Sequence, residues 1–163
     1  MDVQTFLQLP FSERFKLLAG ENGLANDITG VNILDNPQAM NWLSPGELIV
    51  TSGYFFSESS ATMTEFLKSF KRLNISAICL KPQIYLNPIP KELLDLCSSL
   101  EIPLIEIPYG LAFSKILTTV MNLLANPLTE SVQMALDINS KFIEYGLEDD
   151  DINFLSQKLE ELL

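Results

Sequence analysis

Two short segments, Glu47-Leu48-Ile49-Val50-Thr51 and Ser76-Ala77-Ile78-Cys79-Leu80, are apolar at nearly every position. This constrains the fold more than any other feature of the chain. A strand that alternates apolar and polar residues keeps one face wet. A strand without alternation must be covered on both faces, as in parallel sheets. Two further apolar runs, residues 31–34 and 102–107, are also bounded by turn residues. Pro103 lies inside the last run and cannot donate a ladder hydrogen bond, so this strand is expected to lie at an edge or to start there.

Helical patterns separate the runs. Pro37 opens a short helix to Leu43, with Asp35 or Asn36 as its cap. Residues 59–73 place Met63, Phe66, Leu67 and Phe70 on one face. Residues 90–100 turn Leu93, Leu94, Leu96 and Cys97 toward the sheet and Lys91 and Glu92 outward. Strands alternating with helices imply right-handed crossovers. The expected fold is α/β, a small, mainly parallel four-stranded sheet with flanking helices, followed by C-terminal helices. Ahead of the sheet, Val3, Phe6, Leu7 and Leu9 share a helical face before Pro10. Ser12 reads as the N-cap of a second helix carrying Phe15, Leu17 and Leu18, with Gly20 as its stop.

Beyond Pro108-Tyr109-Gly110 the strand pattern ceases. A helix over 111–126 carries Phe113, Ile116, Leu117, Val120, Leu123 and Leu124, and Pro127 interrupts it. A second, from Thr129 to Gly146, carries Val132, Ala135, Ile138, Phe142 and Ile143. A third follows Asp149-Asp150-Asp151, acids suited to a helix N-terminus. The expected organisation is an α/β domain over 1–110 and a helical connector over 111–163. Leu159-Glu160-Glu161-Leu162-Leu163 stops within an amphipathic pattern, which suggests a cut at the start of a following domain.

The chain of 163 residues has 10 basic and 21 acidic side chains, a net charge of −11, and no histidine. The missing imidazole removes His-dependent acid–base catalysis, Ser-His-Asp and Cys-His systems, and nearly all catalytic zinc sites. No phosphate-binding glycine motif is present, and the expectation is a protein that is not an enzyme, with no cofactor and no metal. The acidic balance opposes direct contact with nucleic acid or anionic lipid. Cys79 and Cys97 read as inert core thiols in a reducing compartment. The N-terminus lacks signal-peptide character and no apolar run is long enough to span a bilayer, so a cytoplasmic location is expected, with no membrane partner.

In an open parallel sheet, ligands sit outside the carboxyl ends of the strands. Those ends carry Asp35, then Thr51-Ser52-Gly53-Tyr54, then Lys81, then Pro108-Tyr109-Gly110. Thr51 and Ser52 offer hydroxyls, Gly53 allows close approach of backbone, and Lys81 supplies a cation. Together they form a candidate site for a small polar or anionic metabolite. Their plainer reading is a turn at residues 51–53 and a solvated lysine before Pro82. Trp42 reads as a core residue. Tyr54-Phe55-Phe56 lines a pocket, covers a subunit contact or closes the top of the sheet.

Ala19-Gly20, Gly23-Leu24, residues 31–35, Trp42-Leu43 and Pro45-Gly46-Glu47-Leu48-Ile49-Val50-Thr51-Ser52-Gly53 resemble the N-terminal signature of PucR-type purine catabolism regulators. The likeness continues through Ala77-Ile78, Ile89-Pro90, Ile102-Pro103-Leu104 and Ile107-Pro108 to Phe113 and Ile116, and spans about Leu7 to Val120. The resemblance implies a bacterial transcription regulator that carries this domain first, a middle signalling region next and a DNA-binding helix-turn-helix last. DNA would then be a partner only through a C-terminal domain that this chain lacks. The α/β pattern is also similar to the small N-terminal domain of Mur ligases and HPr kinases, a likeness of fold that transfers no function. Two readings follow. In one, the domain senses a small purine-degradation or related nitrogen metabolite. In the other, it binds nothing small and serves as a dimerisation and assembly module. A homo-oligomer through the C-terminal helices is expected in either case.

Overall fold

Leu48 and Val50 face one side of a sheet and Ile49 the other, and all three are fully buried. The computed structural model of the chain describes residues 1–125. Its sheet has five strands, β1 (Lys16–Ala19), β2 (Gly30–Ile33), β3 (Glu47–Thr51), β4 (Ala77–Leu80) and β5 (Leu104–Glu106), in the order β1-β5-β4-β3-β2. The pairs β2–β3, β3–β4 and β4–β5 are parallel, whereas β1 runs antiparallel to β5.

Four helices cover the sheet: α1 (Val3–Gln8), α2 (Ser60–Arg72), α3 (Lys91–Ser99) and α4 (Phe113–Ala125). One face of the sheet, with Ile49, Ile78, Leu80 and Leu104, packs on Met63, Phe66, Leu67 and Phe70 of α2 and on Leu93 and Cys97 of α3. The opposite face, with Leu48, Val50, Ala77, Cys79 and Ile105, packs on Val3 and Phe6 of α1 and on Ile116 and Val120 of α4. Successive residues of Leu48-Ile49-Val50 in β3 and of β4 alternate between two apolar layers, which is why these stretches show no polar position. Each fully buried Leu, Ile or Phe contributes about 1.5–3 kcal/mol of transfer free energy.

Caps define the helix starts. Asp2 Oδ1 accepts from the Thr5 amide at 2.7 Å ahead of α1, and Ser59 Oγ accepts from the Thr62 amide at 3.1 Å ahead of α2. Thr5's hydrogen bonds also hold the exposed Asp2 carboxyl below its ordinary pKa. Asn36 caps the 3-10 helix Pro37–Trp42, its Oδ1 accepting from the Gln38 amide at 2.9 Å.

The mainly parallel α/β architecture stands as expected, with three local corrections. The helix expected after Ser12 does not form. Ser12 ends a 3-10 turn (Pro10–Ser12), its hydroxyl donating to the Phe6 and Leu9 carbonyls, and the next residues become β1. Pairing with the outer side of β5 overrides the local helical pattern, because an uncovered β5 would leave a row of backbone groups unpaired. That pairing adds the fifth strand and places Lys16 opposite Glu106. It also makes β5 an interior strand. Pro103 lies immediately before β5, so the start-of-strand alternative holds and the edge alternative does not. Thirdly, Trp42 is 75% exposed. In the tight 3-10 turn Ala39 and Met40 face the core together with Leu43, which leaves Trp42 pointing away. The helices expected beyond Pro127 lie outside the described residues.

Gly20, at φ +77°, closes the turn after β1. A Cβ there would lie 2.1 Å from the Ile102 carbonyl oxygen, a backbone atom with no freedom to withdraw. Replacing Gly20 by Ala is expected to cost about 2–4 kcal/mol, from the left-handed backbone and the clash together. Urea unfolding followed by circular dichroism measures it.

Candidate functional site

The loops at the carboxyl ends of β2 and β3 meet at Asp35. Its Oδ1 accepts three hydrogen bonds, from Thr51 Oγ1 at 3.1 Å, the Ser52 amide at 2.8 Å and Ser52 Oγ at 2.7 Å. Thr51 is fully buried and Ser52 nearly so, whereas Asp35 is exposed. The Gly53 amide donates to Thr51 Oγ1 at 3.0 Å. Gly53 sits at φ +81°, and a Cβ on it would lie 2.7 Å from side-chain carbons of Leu80 and Leu86. The turn therefore needs glycine for its backbone angle and for the close approach of those leucines. Four of the six residues singled out from the sequence, Asp35, Thr51, Ser52 and Gly53, thus form one hydrogen-bonded unit.

The other two stand beside it. Tyr54 is 45% exposed and meets Tyr85 edge-on, with ring centroids 5.3 Å apart. Its neighbours Phe55 and Phe56 are buried against α2 and close the top of the core. The Lys81 amide donates to the Thr51 carbonyl at 3.0 Å, joining Lys81 to the unit through its backbone. Its side chain leads elsewhere. The ammonium donates to the Leu111 carbonyl at 2.6 Å and lies 4.7 Å from the Phe113 ring centroid, with the Tyr109 ring at 5.9 Å. The strand-end cation is thereby committed to the start of α4, by a charge-assisted hydrogen bond and by cation–π attraction.

Sequence reasoning missed three things. Tyr85 and Leu86 lie in a proline-flanked loop without periodicity, so nothing marked them as neighbours of the Thr51 turn. The partners of the Lys81 ammonium are 28 or more positions away. An open cleft of about 300 Å³ at the opposite, amino-terminal edge of the sheet brings Asn26, Lys71 and Glu101 together from three separate segments.

Both cysteines are buried and free, and desolvation raises their thiol pKa values, that of Cys97 to about 12. Among the described residues no group of three His, Cys, Asp or Glu side chains gathers in a metal-binding arrangement. No described helix is long and apolar enough to cross a membrane.

The described residues form a three-layer α/β domain with a polar cluster at its strand ends, joined through Lys81 to the segment just ahead of α4. The family model described as Purine catabolism regulatory protein-like matches residues 5–124, and the chain belongs to that family. Over all 163 residues it is 24% identical to the Purine catabolism regulatory protein of Bacillus subtilis (strain 168), and it spans 31% of that relative's length.

Two outcomes follow from this geometry. Asp35→Ala leaves two hydroxyls and an amide without their acceptor and is expected to lower stability by about 1–3 kcal/mol, measured by urea unfolding. Because protonated thiols are poor nucleophiles, neither cysteine should react with Ellman's reagent at pH 8 in the folded protein, and both should react once it is unfolded.

Proposed function

We propose that this chain is the non-catalytic sensory domain of a cytoplasmic bacterial transcription regulator. It binds a small polar nitrogen metabolite, such as a product of purine degradation, at Asp35, Thr51, Ser52, Gly53 and Tyr54. It signals to a DNA-binding helix-turn-helix elsewhere in the longer protein. Family membership supports the regulatory role, and the roughly threefold greater length of the Bacillus subtilis relative leaves room for a DNA-reading part.

The observation that carries the sensory reading is a continuous polar path. It runs from Asp35 through Thr51 to the Lys81 backbone, and from the Lys81 ammonium to the Leu111 carbonyl just ahead of α4. A ligand that displaces Thr51 or Ser52 from Asp35 shifts the backbone that carries Lys81 and so biases the start of α4. Differential affinity for two arrangements of that helix is all a signal requires. The charge distribution permits approach. Residues 1–125 hold eight basic and twelve acidic side chains, a net of −4, and the remaining −7 belongs to residues 126–163. With Lys81 already engaged, the exposed Asp35 carboxylate favours ligands that donate hydrogen bonds.

The second reading is the assembly module. Met121 on α4 is 55% exposed, and Leu117 and Leu124 are only partly covered, which leaves apolar surface for a second copy. The C-terminal helices expected to join that contact lie outside the described residues.

Thermal shift and calorimetry against a panel of purine-degradation products separate the two. Sensing predicts saturable stabilisation by at least one compound, lost in Ser52→Ala and weakened in Lys81→Ala. A domain that answers no compound, yet dimerises and becomes monomeric on Met121→Lys in sedimentation, is an assembly module.

A further inference from the structure

We infer that β2 is the seam of a homodimer. Its outer edge pairs antiparallel with β2 of a second copy, which joins two five-stranded sheets into one and sets α4 against α4 across the dyad. This deepens the assembly reading above, on which it rests, by naming where the two copies meet. β2 ends the sheet and pairs only with β3 among the described residues. The Leu34 amide donates to the Val50 carbonyl at 2.9 Å. Alternate residues of a parallel strand bond to the same neighbour, so Asn32 also faces β3, and Val31 and Ile33 turn their N–H and C=O groups outward. A row of outward backbone groups is a template for another strand.

The two edges of the sheet differ. β1, at the far edge, is guarded against pairing. It carries the exposed Lys16, follows Glu13 and Arg14, and shifts register between Leu17 and Ala19. Charges and bulges are the usual devices that keep an edge from templating a new strand. β2 has neither. Residues 28–34 hold no charged side chain and no proline, and the register of β2 on β3 is unbroken.

Symmetry, area and charge make the occupant a second copy. Placing Val31 opposite Ile33 of the partner subunit satisfies the outward groups of both residues, and Asn32 meets its own copy at the dyad. A dyad that makes two edge strands antiparallel stands perpendicular to the sheet, so each face stays on its own side. α4 packs beside β2 and therefore meets α4. A four-residue ladder is far short of the roughly 1,200 Å² that a stable interface buries. The α4 layer supplies the remainder: Met121 is 55% exposed, Leu117 and Leu124 are partly covered, and Ile33, on the same face as Val31, is 38% exposed. β2 and α4 contain no Asp or Glu in a chain that has 21, so two acidic copies meet where repulsion is least. The strand pattern of the sequence ceases at Gly110, so the remainder of the chain offers this edge no strand of its own.

Sedimentation of the 163-residue chain between about 1 and about 100 μM tests this, with a monomer–dimer equilibrium as the expected result. Ile33→Pro removes an N–H that the monomer does not use. Circular dichroism should show the fold retained, while the dimer dissociation constant rises about ten-fold or more. A cross-link locates the seam independently. Opposed residues of a pair without ladder hydrogen bonds stand about 4.5 Å apart, within reach of a disulfide. Cys79 and Cys97 are buried, so Asn32→Cys adds the one accessible thiol among the described residues. Mild oxidation with copper phenanthroline should link Asn32→Cys into a covalent dimer and leave Lys16→Cys, at the guarded edge, unlinked. A dimer that Met121→Lys dissolves, that Ile33→Pro leaves unchanged and that Asn32→Cys fails to link overturns the seam while assembly through α4 stands. A chain that is monomeric at every concentration overturns both.

Discussion

Burial of β3 and β4 on both faces is the constraint on which the rest of this domain depends. With Leu48-Ile49-Val50 and Ala77-Ile78-Cys79-Leu80 apolar throughout, the two strands require an apolar layer above and another below. α2 and α3 supply one layer, and α1 and α4 the other. Every other placement follows from covering those layers or from pairing the strands at their sides. The helices of the α2–α3 layer bridge consecutive parallel strands, and this brings the strand carboxyl ends to one edge and the ends of α2 and α3 to the opposite edge. The sheet therefore has two chemically distinct rims, a hydroxyl-rich one around Asp35 and one where Glu101 pairs with Lys71.

At the carboxyl rim one hydrogen-bonded unit joins the ends of adjacent strands. Asp35 is held by two side-chain hydroxyls and one amide, so its position records that of the Thr51-Ser52 turn. Lys81 spans from that turn to the entrance of α4. α4 lies against the same face of the sheet as α1, with Ile116 and Val120 buried in the core.

Much of this was legible in the residues. The unbroken apolar character of Leu48-Ile49-Val50 and Ala77-Ile78-Cys79-Leu80 forced a parallel, doubly covered sheet. The spacing of Met63, Phe66, Leu67 and Phe70 defined the buried face of α2. The run Pro45 to Gly53 carried the family likeness that the match over residues 5–124 bears out. The strand-end cluster of Asp35, Thr51, Ser52 and Gly53 was likewise visible, because topology alone sends those residues to one edge.

What the residues determined by themselves was local: periodicity, caps, turns and the demand for two apolar layers, each a property of near neighbours along the chain. What only the tertiary structure decided was every matter settled by distant partners. Residues 16–19 became a strand because β5 offered an unpaired edge, and Trp42 turned outward because Ala39 and Met40 filled the space beneath it. The Lys81 ammonium found the Leu111 carbonyl, and Glu101 came to face Lys71. Backbone pairing and charge compensation act through space, so their outcome is fixed only once the chain has closed on itself.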